Sequence, residues 1–421
     1  MPRSGFVALI PVAPGRLEEL ERVLLSWGND VLLEDEGGLK PDAFVDFRDQ
    51  QFIHFMRFAL LKVDNEQRLL ITADFDLEIH DFLEFLRRKT TCPDAIWGLC
   101  VGWRKEIDFS LWFLNFVVVP EATYIAFPGV TLQRVNQAVA LFKFRDEVLS
   151  GRFSPRRQGI TEAARILVRV DCLFRAAFFI RNAAKSAYRT IGLLFSRKLD
   201  LSRQEMRLLW EGGRRVASSL NRVWWIRAFN ILSRNPAPVA VPIWSSARPP
   251  FHRLTSFAGY PAEDSVFQNQ LTLLTSFPAA EEARLRGVLR SIDLYARGLA
   301  FPGSLLGIAT IHTVRWTILP DCHGVPGRIW LLMTSNYDGS WDSYISEFCA
   351  RIFSGLDAIW GCAEGAPPAG ARDIPAFKEF LRTRQIPAAV FYSAYKGGSV
   401  SFTRMALTLR PVNRLIAGLV G

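Results

Sequence analysis

Apolar and polar positions along this chain switch between two periods in the same order twice. Phe6–Val12 is a short apolar run that predicts a strand. Arg16–Trp27 follows, with Leu17, Leu20 and Leu24 at helical spacing. Phe52–Val63 and Arg68–Ala73 read as two strands separated by polar turn residues. Glu78–Lys89 reads as a second helix, and Thr123–Phe127 as a last strand after a short helical piece. The second half predicts the same succession. Its strand Leu271–Phe277 precedes a helix at Ala280–Tyr295, then strands at Ala309–Leu319 and Arg328–Ser335. A helix at Trp341–Phe353 and a strand at Ala389–Tyr395 close it.

Particular residues recur with the pattern. Asp94-Ala95-Ile96-Trp97-Gly98 returns unchanged as Asp357-Ala358-Ile359-Trp360-Gly361. Ile53-His54-Phe55-Met56-Arg57-Phe58 answers Ile311-His312-Thr313-Val314-Arg315-Trp316, and Thr72 to Asp76 answers Thr334 to Asp338. Thr123-Tyr124-Ile125 aligns with Val390-Phe391-Tyr392. Matching blocks that keep both order and spacing indicate an internal repeat. Each copy then reads βαββαβ, a ferredoxin-like unit of one antiparallel sheet with helices on one face. The bare sheet faces need covering, which two copies achieve by packing sheet to sheet. The expected fold is α+β, with repeats at 1–150 and 263–421 and a helical insert with a Pro-rich linker at 151–262. The apolar stretch 109–132 is accordingly read as helix, turn and strand rather than a membrane span.

Charge singles out the insert. The 421-residue chain has a net charge of +10, yet residues 151–260 hold 20 Lys and Arg against 5 Asp and Glu. Arg181, Lys185 and Arg189 share a helix face at i, i+4 and i+8, and Trp224 and Trp225 form a bulky apolar cluster nearby. A basic face with aromatics suits an anionic membrane surface. The competing reading is that the arginine stems flank a helix packed on the two repeats. No helix-turn-helix, zinc-finger or RNP signature points to nucleic acid. The six cysteines have no CxxC or metal-ligand spacing and read as the reduced thiols of a cytoplasmic protein.

Candidate chemistry sits on the repeated strands. His54 with Arg57, and His312 with Arg315, offer an imidazole and a guanidinium three residues apart. On a regular strand these would face opposite ways, so a shared site needs a bulge. Asp76 and Asp338 each follow a strand and precede a helix, which favours a helix cap over catalysis. No Walker loop, GxGxxG or GxSxG motif is present.

The tandem βαββαβ arrangement resembles the dimeric α/β-barrel superfamily, and within it the dye-decolourising peroxidases and chlorite dismutases. The resemblance spans residues 4–140 and 265–409 and leaves out the insert. It implies a b-type haem held by a proximal histidine of the C-terminal unit, a distal arginine and, in the peroxidases, a distal aspartate. That makes His312, or else His54, the haem and metal ligand. Arg315 or Arg57 would stabilise bound peroxide, and Asp338 or Asp76 would assist proton transfer. Ser335-Asn336-Tyr337-Asp338-Gly339 keeps only the Asp-Gly of the peroxidases' GxxDG. Three functional classes remain open. They are a peroxidase-type oxidoreductase, a non-catalytic or lipid-handling protein docking on anionic membranes, and a cofactor-free enzyme acting on a small hydrophobic substrate between the repeats.

Overall fold

β-branched and aromatic runs become strands here, and leucines at helical spacing become the buried stripes of the helices. The computed structural model describes residues 4–35, 51–63, 66–89, 93–149, 268–298, 300, 302–319, 327–395 and 398–420. The basic insert, with Arg181, Lys185, Arg189, Trp224 and Trp225, lies outside the described residues. The first half runs β1 (Ser4–Pro11), α1 (Leu17–Asp35), β2 (Ile53–Val63), β3 (Glu66–Phe75), α2 (Ile79–Lys89), α3 (Pro93–Trp97), α4 (Phe109–Leu114), β4 (Val117–Val118), β5 (Ala122–Ile125) and α5 (Leu132–Leu149). The second half runs β6 (Gln268–Pro278), α6 (Glu282–Gly298), β7 (Ile311–Leu319), β8 (Arg328–Asp338), α7 (Trp341–Trp360), α8 (Ile374–Arg382), β9 (Ala388–Ser393) and α9 (Val400–Val420). Among the described residues, no helix is long and apolar enough to cross a membrane.

The fold is α+β, with two antiparallel sheets ordered β4-β1-β3-β2-β9 and β5-β7-β8-β6. Neither sheet is built from one half alone. β9 pairs with β2 of the first half, and β5 pairs with β7 of the second. The strand expected to finish each copy's own sheet therefore lies in the other sheet. The edge beside β1 is taken by Val117–Val118, and the edge beside β6 is bridged by Gln385 to Leu273. Strand register follows backbone pairing, so Tyr124 faces Val314 and Tyr392 faces Met56. The two tyrosines are thus equivalent, one residue off the sequence alignment.

Alternation along the strands separates two layers. Met56 and Phe58 of β2 point into a core with Leu20, Leu24, Trp27 and Trp97. Ala59 and Leu61 point the other way and meet Leu274, Leu319 and Leu332 of the second sheet. The sheets thus face each other, and every residue of β7 is buried. After β5 and β9, the helices α5 and α9 pack together through Ala138, Phe142, Ala406 and Leu409.

Candidate functional site

The repeated histidines sit where the strands break register. His54 is the extra residue between the pairs Ile53/Phe75 and Phe55/Asp74. His312 is its counterpart between Ile311/Tyr337 and Thr313/Asn336. The bulge that a shared site required is therefore present at both positions. It brings His54, Phe55, His312 and Tyr395 into one ring cluster, with His312 and Tyr395 centroids 4.7 Å apart.

Each histidine then meets its aspartate. His54 Nε2 lies 2.9 Å from Asp76 Oδ1, and His54 Nδ1 lies 2.7 Å from the Tyr395 hydroxyl. The other Asp76 oxygen accepts from the Leu132 N–H at 2.6 Å. His312 Nε2 is 2.7 Å from Asp338 Oδ1, and Asp338 Oδ2 accepts from the Val400 N–H at 2.7 Å. Both aspartates are helix caps, but of α5 and α9 rather than of the helices that follow them in sequence. At the second of those nearer helices, Ser340 caps α7 by accepting from the Ser343 N–H. A buried carboxylate that accepts a helix N–H satisfies an otherwise orphaned donor.

The arginines cross between the sheets. Arg315 donates to Asp74 through two nitrogens, at 2.6 and 3.1 Å. Arg57, its counterpart, finds Asn336 where Arg315 finds Asp74. It donates to Asn336 Oδ1, Thr272 Oγ1 and the carbonyls of Leu271 and Ser335. Burial pushes the Arg57 guanidinium down to about 9, and Asp74 partly opposes this. Gly5 leaves room for the Arg315 guanidinium, because a Cβ there would collide with it.

This constellation does not fit a haem. Both nitrogens of His54 are already in hydrogen bonds. His312 is held by the aspartate that caps α9, and the rings of Phe55 and Tyr395 lie against it. A porphyrin beside either ring would have to displace packed side chains. The two terminal nitrogens of Arg57 and of Arg315 all donate to protein acceptors, which turns both guanidinium ends toward the other sheet and not toward a site for bound peroxide. The described residues hold no cluster of three or more His, Cys, Asp or Glu suited to a metal ion.

A different feature lies on the far side of the second sheet. A cavity of about 80 Å³ opens between that sheet and helices α6 and α7. Leu271, Leu273, Trp316 and Met333 form its floor, and Val288, Ile292, Phe348, Ile352 and Trp360 are among its helical walls. It is thus within one half and not between the sheets. Two backbone irregularities border it. Leu306 is the one described non-glycine residue with positive φ, at 52°, and α7 is broken at Ile352, with φ −140° and ψ 35°. The half-buried Leu306, Gly355 and Ala358 bring it toward the surface.

Pairing register shows why space remains there. Leu271 stands opposite Ser335 as Phe6 stands opposite Ala73. Phe6 packs against the rings of Phe75, Phe82 and Phe113, whereas Leu271 offers no ring. Along the helices, Ile292 occupies the place of Trp27, whose ring lies 5.7 Å from Phe58. Sequence reasoning missed this cavity. Its signal was the substitution of Phe6 by Leu271 and Trp27 by Ile292 within an otherwise matched pattern.

No protein-family model, curated protein or solved structure matches this chain.

Proposed function

We propose that the chain is a tandem pair of ferredoxin-like units with exchanged last strands, and that its second unit is a non-catalytic binding module for a small apolar molecule. The tandem reading is supported by backbone bonds that recur in both halves. Asp76 N–H donates to Phe52 and Asp338 N–H to Thr310, while Ala126 N–H donates to His312 and Ala394 N–H to His54. The repeated His, Arg and Asp residues then serve to lock the units together.

The observation that carries the binding reading is the apolar cavity bordered by strained backbone. A residue held at positive φ without being glycine costs on the order of 1 kcal/mol or more and tends to occur at functional sites. Leu306 and the break at Ile352 both line this one cavity. The lining is almost wholly apolar, so an apolar guest gains dispersion contacts with it. Engineered dry cavities of about 150 Å³ take up benzene. The present one is about 80 Å³, and its rim at Leu306, Gly355 and Ala358 is half-buried, so a guest enters from that side.

Fluorobenzene, followed by 19F NMR, is expected to bind the wild-type protein saturably. Leu271→Phe installs the residue found at the equivalent Phe6 position, and should abolish that binding while the thermal unfolding midpoint stays within a few degrees. Absence of saturable binding by the wild type would refute the reading, as would undiminished binding by the variant.

A further inference from the structure

The cavity's lining also restricts what it can hold. We infer that its ligand is a neutral molecule with a hydrocarbon body and one acceptor oxygen, which the Trp316 indole N–H binds. This rests on the reading of the cavity as a binding site.

No Lys, Arg, His, Asp or Glu lines the cavity. A carboxylate or ammonium placed there would lose its hydration without gaining a counter-charge, which excludes charged ligands. The hydroxyls of Ser291 and Tyr344 in the lining are committed within the protein. Ser291 Oγ donates to the Gly287 carbonyl within α6. Ser335 Oγ donates to the Thr313 carbonyl, so the 2.6 Å contact between Ser335 and Tyr344 uses the tyrosine's proton. The indoles are different. Trp316 is 3 % exposed, and its Nε1 has no acceptor among the described residues. Indole nitrogen can only donate, and a buried donor left unpaired is costly.

Alternation along β7 turns Trp316 toward the cavity, since Arg315 beside it crosses to the other sheet. The comparison between halves sharpens the assignment. Trp360 also lines the cavity with an unpartnered Nε1, but its counterpart Trp97 shares that property. Trp316 instead corresponds to Phe58, which has no N–H to satisfy. The half with the cavity is the half that adds a donor at this position. A monocyclic ketone, ether or ester of modest size meets all these conditions. A pure hydrocarbon leaves the donor unpaired.

Cyclohexanone and methylcyclohexane, nearly the same shape, separate the possibilities. In the wild type, cyclohexanone is expected to shift the Trp316 indole N–H resonance downfield, while methylcyclohexane binds without doing so. Trp316→Phe, which copies the residue of the first half, should weaken cyclohexanone about tenfold, the effect of one net hydrogen bond. Its affinity for methylcyclohexane should be unchanged. An unmoved indole resonance on ketone binding would overturn the assignment even if the variant failed to fold. Equal ketone affinity in wild type and folded variant would overturn it too. If neither compound binds the wild type, the binding reading itself falls.

Discussion

Single residues decide how the two sheets are joined. The Arg315–Asp74 pair is nearly buried, at 4 % and 2 % side-chain exposure, and is bidentate. Taking away one partner strands the other charge away from water, which costs more than the pair contributes. Asp74→Ala should therefore lower the unfolding free energy by about 3–5 kcal/mol in urea titrations. The double variant Asp74→Leu with Arg315→Met should recover most of that loss. A double variant no more stable than the single would show that the pair's attraction, rather than desolvation, dominates. The asymmetry with Arg57 was readable only once the partners were known. The pair of arginines repeats in sequence, but Asp74 is answered by Asn336, and only the fold shows that each arginine reaches the other half's residue.

At the scale of elements, α5 and α9 show how distant segments hold one another. Each begins at a backbone N–H bonded to an aspartate from a strand end, Asp76 or Asp338. Each then packs on the other through small residues, with Ala138 and Ala406 fully buried at the contact. Phe142 and Phe402 meet edge to face beside them. Enlarging the contact forces the helices apart, so Ala406→Leu should cost about 1–3 kcal/mol, read from the shift in urea midpoint. An unchanged midpoint would show that the helix pair is loosely packed. The placement of Asp76 and Asp338 between a strand and a helix pointed to capping roles. It pointed to the neighbouring helices because a cap signal is local, whereas these carboxylates accept from helix starts more than 50 residues away in the chain.

Strand pairing between the two halves governs the whole molecule. Without β9, the long strand β2 would present an open edge, and without β5 so would β7. Unpaired edges invite association with other chains. The fragments 1–150 and 263–421, expressed separately, should be aggregated or poorly folded. Expressed together, they should co-purify as a one-to-one complex with the secondary-structure content of the parent. Soluble monomeric folding of either fragment alone, by light scattering and circular dichroism, would contradict this. The cavity belongs to this scale as well, because its walls come from sheet, α6 and α7 together.

Sequence by itself determined the periods, hence the kind and order of β1 to α2 and of β6 to α7, but not the helices α5 and α9 that follow the last strands. It also placed His54, Arg57, His312 and Arg315 on buried strands, because apolar neighbours on both faces leave no wet side. Tertiary structure alone decided which edge each last strand joins, which helix each aspartate caps, and where packing leaves room. Those outcomes depend on pairings between residues far apart in the chain, and hydrophobic period is the same whichever partner a strand finds.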